Sequence, residues 1–121
     1  MATSNEGLNR AYGGIAGTVT HMSMHDGDPG TTGANELSAG TAGYARVAQT
    51  YGAPTAGAGD LAAPAVFNVS GGDEVTHWGA WDESGDNPVY LFGEELTVPQ
   101  AFATDGTYTL NTAPYSAANP S

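Results

Sequence analysis

The nine residues from Glu74 to Asp82, EVTHWGAWD, contain both tryptophans of the chain and have the pattern of one β-strand. Successive side chains of a strand point to opposite faces, so Trp78 and Trp81 fall on opposite sides of it. A large aromatic group on each face predicts a central strand that is covered on both sides. Turn-forming residues bound this strand at 71–73 and at 83–88.

The rest of the chain predicts more short strands between Gly- and Pro-rich turns. Eighteen glycines and seven prolines leave no helical periodicity of any length. This pattern predicts an all-β fold, a single small β-sandwich or barrel-like domain of six to eight short antiparallel strands. Besides the Trp strand, we expect strands at 17–24, 44–51, 64–69, 89–92, 96–99 and 107–110.

The ends of the chain are less patterned than its middle. We therefore divide it into an N-terminal arm at 1–16, a β-sandwich domain at 17–112 and a flexible C-terminal tail at 113–121. Two interpretations of the arm stay open. One is a short helical turn capped by Ser4, and the other is a flexible segment that becomes ordered only against a partner.

The charge of the chain argues against several classes of partner. Thirteen acidic residues, two arginines and no lysine give a net charge of −11, which repels nucleic acids and anionic lipids. No run of about 18 apolar residues could span a membrane. The chain has no cysteine for disulfides. Residues 1–6 have neither a basic nor an apolar stretch, so we expect no signal peptide.

The strand pattern also predicts which side chains form the core. The candidates are mostly large apolar or aromatic residues of the later strands. They are Val66, Phe67, Val75, Trp78, Trp81, Leu91, Tyr108 and Leu110.

The segment 25–43 is the longest predicted loop, and it is rich in residues that favour turns. We expect it to be ordered and displayed on the surface, with a structural turn built by six residues: Asp26, Asp28, Pro29, Gly30, Gly33 and Asn35. The two aspartates resemble the start of a calcium loop. They lack the third oxygen position and the closing glutamate, so Asx-type turns are the preferred interpretation and no metal site is predicted.

No group of residues predicts catalysis. On a strand, His21 and His25 would lie about 13 Å apart, too far to share a metal ion. Mid-strand His77 predicts a neutral imidazole that donates to a carbonyl or a nearby aspartate. Neighbouring acidic residues point apart, and no nucleophile elbow or phosphate-binding loop is present. We therefore predict no catalytic residue, no cofactor and no enzymatic activity.

Three blocks in this order resemble a family of small tailed-bacteriophage virion proteins. They are 25–36 (His-x-x-Asp-Pro-Gly, then Thr-Gly-x-Asn-Glu), 43–46 (Gly-Tyr-x-Arg) and 75–82 (Val-Thr-His-x-Gly-x-Trp-Asp). The resemblance covers roughly 18–110. It implies a β-sandwich component of the virion, whose members occur as head decoration proteins or as tail components.

Two functions follow from this resemblance. The first is capsid decoration on the exterior of the phage head, where the protein would bind the major capsid protein lattice and copies of itself, as a trimer or another small oligomer, and stabilise the head. The alternative is a minor tail or tail-fibre component or a small receptor-binding adhesin, with tail proteins or a host surface glycan as partners. In either case the protein would be made in the host cytoplasm.

Overall fold

The chain folds as one helix followed by short antiparallel strands, in a computed structural model that describes residues 4–117. Helix α1 spans Asn5–Ile15, and a 3-10 turn at Ala16–Thr18 follows it. The strands are β1 (His21–His25), β2 (Val47–Ala48), β3 (Ala58–Gly59), β4 (Ala65–Val69), β5 (Glu74–Asp82), β6 (Val89–Ala101), β7 (Gly106–Leu110) and β8 (Tyr115–Ser116).

The Trp strand is the centre of the main sheet, whose order is β2-β1-β5-β6. Strand β5 has the predicted bounds, and it pairs antiparallel with β1 on one side and with β6 on the other. Strands β4 and β7 form a second antiparallel pair, and β3 and β8 a third. Within residues 4–117 these sheets do not close into a barrel. The prediction of a small all-β domain is confirmed.

The predicted core positions lie at different depths. Val66 is 53% exposed, and placing it in the core was wrong. Strand β4 alternates, with Ala65, Phe67 and Val69 on the inner face, so Val66 must point outward. The other seven positions are buried (Phe67, Val75, Trp78, Trp81 and Leu110) or partly buried (Leu91 and Tyr108).

Several strand bounds differ from the prediction. The strands expected at 89–92 and 96–99 are one continuous strand, β6, which contains Pro99. A proline lacks an N–H donor, and Pro99 is tolerated because β6 is an edge strand and the stretch between Glu95 and Gln100 has no partner on β5. The strand expected at 44–51 shrinks to Val47–Ala48. The first strand begins at His21 because residues 16–18 form the 3-10 turn.

The segment 5–15 of the predicted arm is a helix that packs against the domain. The Ser4 hydroxyl accepts a hydrogen bond from the Gly7 N–H at 3.0 Å, as expected of an N-cap. Leu8 and Tyr12 are buried, and the Tyr12 hydroxyl donates to the Gly52 carbonyl at 2.9 Å. Burial of these two side chains compensates for the glycines that weaken the helix. Residues 1–3 of the arm lie outside the described residues.

The first part of the predicted tail also belongs to the fold. Ala113 is fully buried, and its N–H donates to Asp60 Oδ1 at 2.6 Å. Strand β8 then pairs with β3. Residues 118–121 of the predicted tail lie outside the described residues. None of the described helices has the length and apolar character needed to cross a membrane.

Candidate functional site

The three sequence blocks that carry the resemblance meet at one side of the main sheet, around Trp81. Strand β1 supplies two buried polar residues, and the long loop, the segment before β2 and the end of β5 supply the others. We call this group the Trp81 cluster, and it consists of Ser23, His25, Glu36, Tyr44, Arg46, Trp81 and Glu83.

Arg46 is the charged centre of the Trp81 cluster. Its guanidinium binds Glu36 through three hydrogen bonds, Nη2 to Oε1 at 2.8 Å, Nε to Oε2 at 3.0 Å and Nε to Oε1 at 3.3 Å. Nη1 donates to Glu83 Oε2 at 3.1 Å. The Arg46 Cζ also lies 3.5 Å from the centre of the Trp81 ring, in the geometry of a cation–π contact. The hydrogen bonds to Glu36 are the main reason that the pKa of Arg46 is raised.

Tyr44 connects this ion pair to strand β1. Its hydroxyl donates to Glu36 Oε2 at 2.8 Å and accepts from the Met24 N–H at 3.0 Å. Burial raises the pKa of the Tyr44 hydroxyl, so it stays protonated and keeps donating. The Leu37 N–H donates to the Met24 carbonyl at 3.1 Å. The end of the long loop is thus attached to β1 at two points.

A chain of hydrogen bonds passes through buried His25. Trp81 Nε1 donates to Ser23 Oγ at 2.8 Å, Ser23 Oγ lies 2.7 Å from His25 Nε2, and His25 Nδ1 lies 2.7 Å from the Ala34 carbonyl. A carbonyl only accepts, so Nδ1 carries the proton and Nε2 accepts from the Ser23 hydroxyl. Burial, the largest cause, lowers the pKa of His25 below its ordinary value of 6.5, which favours this neutral form.

A serine beside a histidine can act as a nucleophile and a base. Here Ser23 and His25 are both fully buried, and the serine oxygen already accepts the Trp81 N–H. This pair therefore serves to connect β1, β5 and the loop.

The predicted turn residues form the part of the loop that lies against Trp81. Asp28 Oδ1 accepts from the Gly30 N–H at 2.8 Å, and Asn35 Nδ2 donates to the Asp28 carbonyl at 2.9 Å. Asn35 has a φ of 62° and Gly33 a φ of 79°. A Cβ on Gly33 would come within 2.6 Å of the Trp81 ring, so this position needs glycine for both its φ and its contact.

The remaining turn residues close the same structure. The Asp26 N–H donates to the Asn35 carbonyl at 3.0 Å, although Asp26 itself is exposed. Pro29 is buried, and its carbonyl accepts from the N–H groups of Gly33 and Ala34 at 3.0 Å. The loop is therefore held by its own turns as well as by the Trp81 cluster.

The other two histidines make no direct hydrogen bond to a side chain of the Trp81 cluster. His77 Nδ1 lies 2.8 Å from Thr76 Oγ1, which takes the place of the expected carbonyl or aspartate. His21 Nδ1 lies 2.9 Å from Thr20 Oγ1 and 3.9 Å from Glu83 Oε2. Among the described residues, no three His, Asp or Glu side chains come together in a way that could hold a metal ion.

The arrangement positions a surface loop rather than a reacting group. Sequence reasoning noted Arg46 and the turn residues but missed Ser23 and Glu83. Ser23 lies two residues before His25, and this spacing puts both side chains on one face of a strand. The predicted first strand ended at residue 24. Extending it to His25 would have revealed that Ser23 and His25 lie side by side on one face.

Comparison with known protein families finds a match over most of the chain. A family model described as "Podophage GP4 fiber I protein gp80" matches residues 2–116. This range contains helix α1, the eight strands of the described residues and the whole Trp81 cluster. No curated protein and no solved structure matches the chain.

Proposed function

The chain belongs to the podophage GP4 fiber I protein gp80 family, and from this membership we propose that it is a subunit of a tail fibre. The membership identifies it as a structural component of a phage particle. The observation that carries the proposal is the match over residues 2–116, which includes every helix and strand found in residues 4–117.

Capsid decoration was the first interpretation from the sequence, with the tail fibre as the alternative. The family membership supports the alternative. It gives no support to the major capsid protein as a partner or to a place on the exterior of the head. The proposed partners are therefore other tail proteins and copies of this chain.

The construction of the domain suits a structural role without catalysis. The long loop is fixed by its turns and by the Trp81 cluster, so a partner meets a surface of constant shape. The polar residues that a catalytic site would use, Ser23 and His25, are buried. A net charge of −11 opposes binding to nucleic acids.

The proposal is tested by locating the protein on intact phage particles. Gold-labelled Fab fragments raised against the purified domain should bind along the tail fibres and leave the head unlabelled. In a second assay, the purified domain should stay in the supernatant when undecorated capsids are sedimented. Saturable binding to those capsids at a fixed copy number per capsomer would overturn the proposal in favour of decoration.

A further inference from the structure

Strand β6 has one free edge, and a groove runs along it. One edge of β6 pairs with β5, and no strand among residues 4–117 pairs with the other. Two cavities of about 320 and 480 Å³ follow that free edge from Phe92 to Val98. Trp78, Glu94 and Pro114 line both cavities, so the two are parts of one groove.

The walls of this groove are strand edges. The larger part of its lining consists of two consecutive runs, 94–98 in β6 and 108–112 at the end of β7. Consecutive side chains of a strand point to opposite faces. Glu94 and Glu95 pair with β5 on one side, so a cavity bordered by both of them faces the other edge of the strand, where N–H and C=O groups are available.

The sheet order shows what is missing between these edges. The strands run β6-β5-β1-β2, and β2 then lies against β4, which pairs with β7. The Gln49 side chain also donates to the Pro64 carbonyl at 3.1 Å, next to the contact of β2 with β4. Strand β2 contacts β4 without pairing with it, and the β3–β8 pair lies opposite Phe92–Glu94. Among residues 4–117, no strand lies between β7 and residues 94–98 of β6. A strand added there would extend the main sheet.

The charge around the groove indicates which charged side chains the added strand carries. Glu94 and Glu95 are exposed at the groove. The chain has two arginines and no lysine. Arg10 pairs with Glu6 on helix α1, and Arg46 is held in the Trp81 cluster. A second copy of this chain therefore has no lysine and a single exposed arginine, Arg10, to offer, and two copies at −11 each repel one another.

We infer that the groove beside β6 binds an extended segment of another virion protein, one that carries lysine or arginine, by strand addition. Backbone hydrogen bonds to β6 hold the segment, and its alternate side chains meet the groove floor at Trp78 or the two glutamates. The regularly paired part of this edge, from Phe92 to Glu95, offers about 13 Å, at roughly 3.3 Å per residue. Val98, which is 73% exposed in the stretch beyond Glu95 that has no partner on β5, is then covered by the partner. The inference rests on membership of the virion, and it holds whether the protein sits on the tail or the head.

The test is site-specific crosslinking in assembled phage particles. A photo-crosslinking benzoylphenylalanine replaces Val98 in one phage and Val89 in a control. Val89 is also an exposed valine of β6, at 53%, but lies outside the groove. The Val98 position should crosslink at least tenfold more strongly than Val89. Mass spectrometry should identify the attached peptide as a Lys- or Arg-containing segment of a different protein.

The charge requirement is tested in the same particles. Glu94→Gln with Glu95→Gln should lower the Val98 crosslink at least fivefold. Glu74→Gln with Asp86→Asn removes two exposed carboxylates elsewhere and should leave it unchanged. A crosslink to another copy of this chain, a peptide without basic residues, equal loss in both double variants, or no crosslink in particles that contain the protein would each overturn the inference. If the chain is absent from purified particles, the proposal that it is a component of the virion is refuted instead.

Discussion

The two arginines of this chain provide a matched test of the Trp81 cluster. Arg46→Ala and Arg10→Ala each remove one positive charge, so both variants have the same net charge. Their surroundings differ. Arg46 has a side chain 23% exposed and binds two glutamates and the Trp81 ring. Arg10 has a side chain 80% exposed and binds only Glu6, one helical turn away.

The expected losses in the free energy of unfolding follow from these contacts. Charge-assisted hydrogen bonds contribute about 1.5–3 kcal/mol, and a cation–π contact adds about 0.5–2 kcal/mol. Screening at the partly exposed end of the side chain reduces the sum, so we expect Arg46→Ala to cost about 3 kcal/mol. An exposed pair of the Arg10 kind contributes about 0.5 kcal/mol or less. Arg46→Lys keeps the charge but loses the paired hydrogen bonds and the stacking, and should cost about 2 kcal/mol.

Urea unfolding followed by far-UV circular dichroism measures these differences. Tryptophan fluorescence is unsuitable as the main signal because Arg46 lies on Trp81. With a slope of about 2 kcal/mol per molar urea, Arg46→Ala should lower the midpoint by about 1.5 M. Arg10→Ala should move it by about 0.25 M or less. Equal losses in the two alanine variants would refute the argument that the Trp81 cluster stabilises the fold.

Three further predictions use the same cluster and its neighbours. Gly33→Ala should cost about 3 kcal/mol in urea unfolding, because its φ is 79° and the methyl group would meet the Trp81 ring. Gly30→Ala, with a φ of 60° and open space, should cost only about 1 kcal/mol, and equal costs would contradict the close contact. Tyr90→Phe should leave the melting temperature unchanged or raise it, since the Tyr90 hydroxyl is buried without a hydrogen-bond partner among the described residues. A clear decrease in the melting temperature would show that the hydroxyl has a hydrogen-bond partner. The folded state lowers the pKa of His25 below 6.5, so the unfolded state binds more protons and stability should fall as the pH drops through about 6.5. In the His25→Asn variant, the free energy of unfolding should not fall between pH 7 and pH 5.5. A fall as large as in the wild type would refute the conclusion that buried His25 causes it.

The sequence was sufficient to predict the parts of the fold that rest on local patterns. The bounds of β5 and its central place came from two tryptophans on opposite faces and from clear turn residues on each side. The turn at 26–35 was predicted because aspartate, proline, glycine and asparagine each favour a particular backbone geometry. The φ values of Gly30, Gly33 and Asn35 show this geometry directly.

Long-range packing decided the rest, and a single sequence does not reveal it. Helix α1 contains glycines that weaken it, and it forms where Leu8 and Tyr12 can be buried. The Trp81 cluster joins residues far apart in the chain, such as Ser23 with Trp81 and Arg46 with Glu83. No local pattern predicts which of thirteen carboxylates an arginine will meet.

The measurement that tests the central claim most directly is a comparison of phage particles with and without this protein. Cryo-electron microscopy of wild-type particles and of particles from a phage that lacks the gene gives a difference map. If the protein is a fibre subunit, the map should show density lost from the tail fibres and an unchanged capsid surface. Density lost from the outside of the head, with intact fibres, would contradict the account.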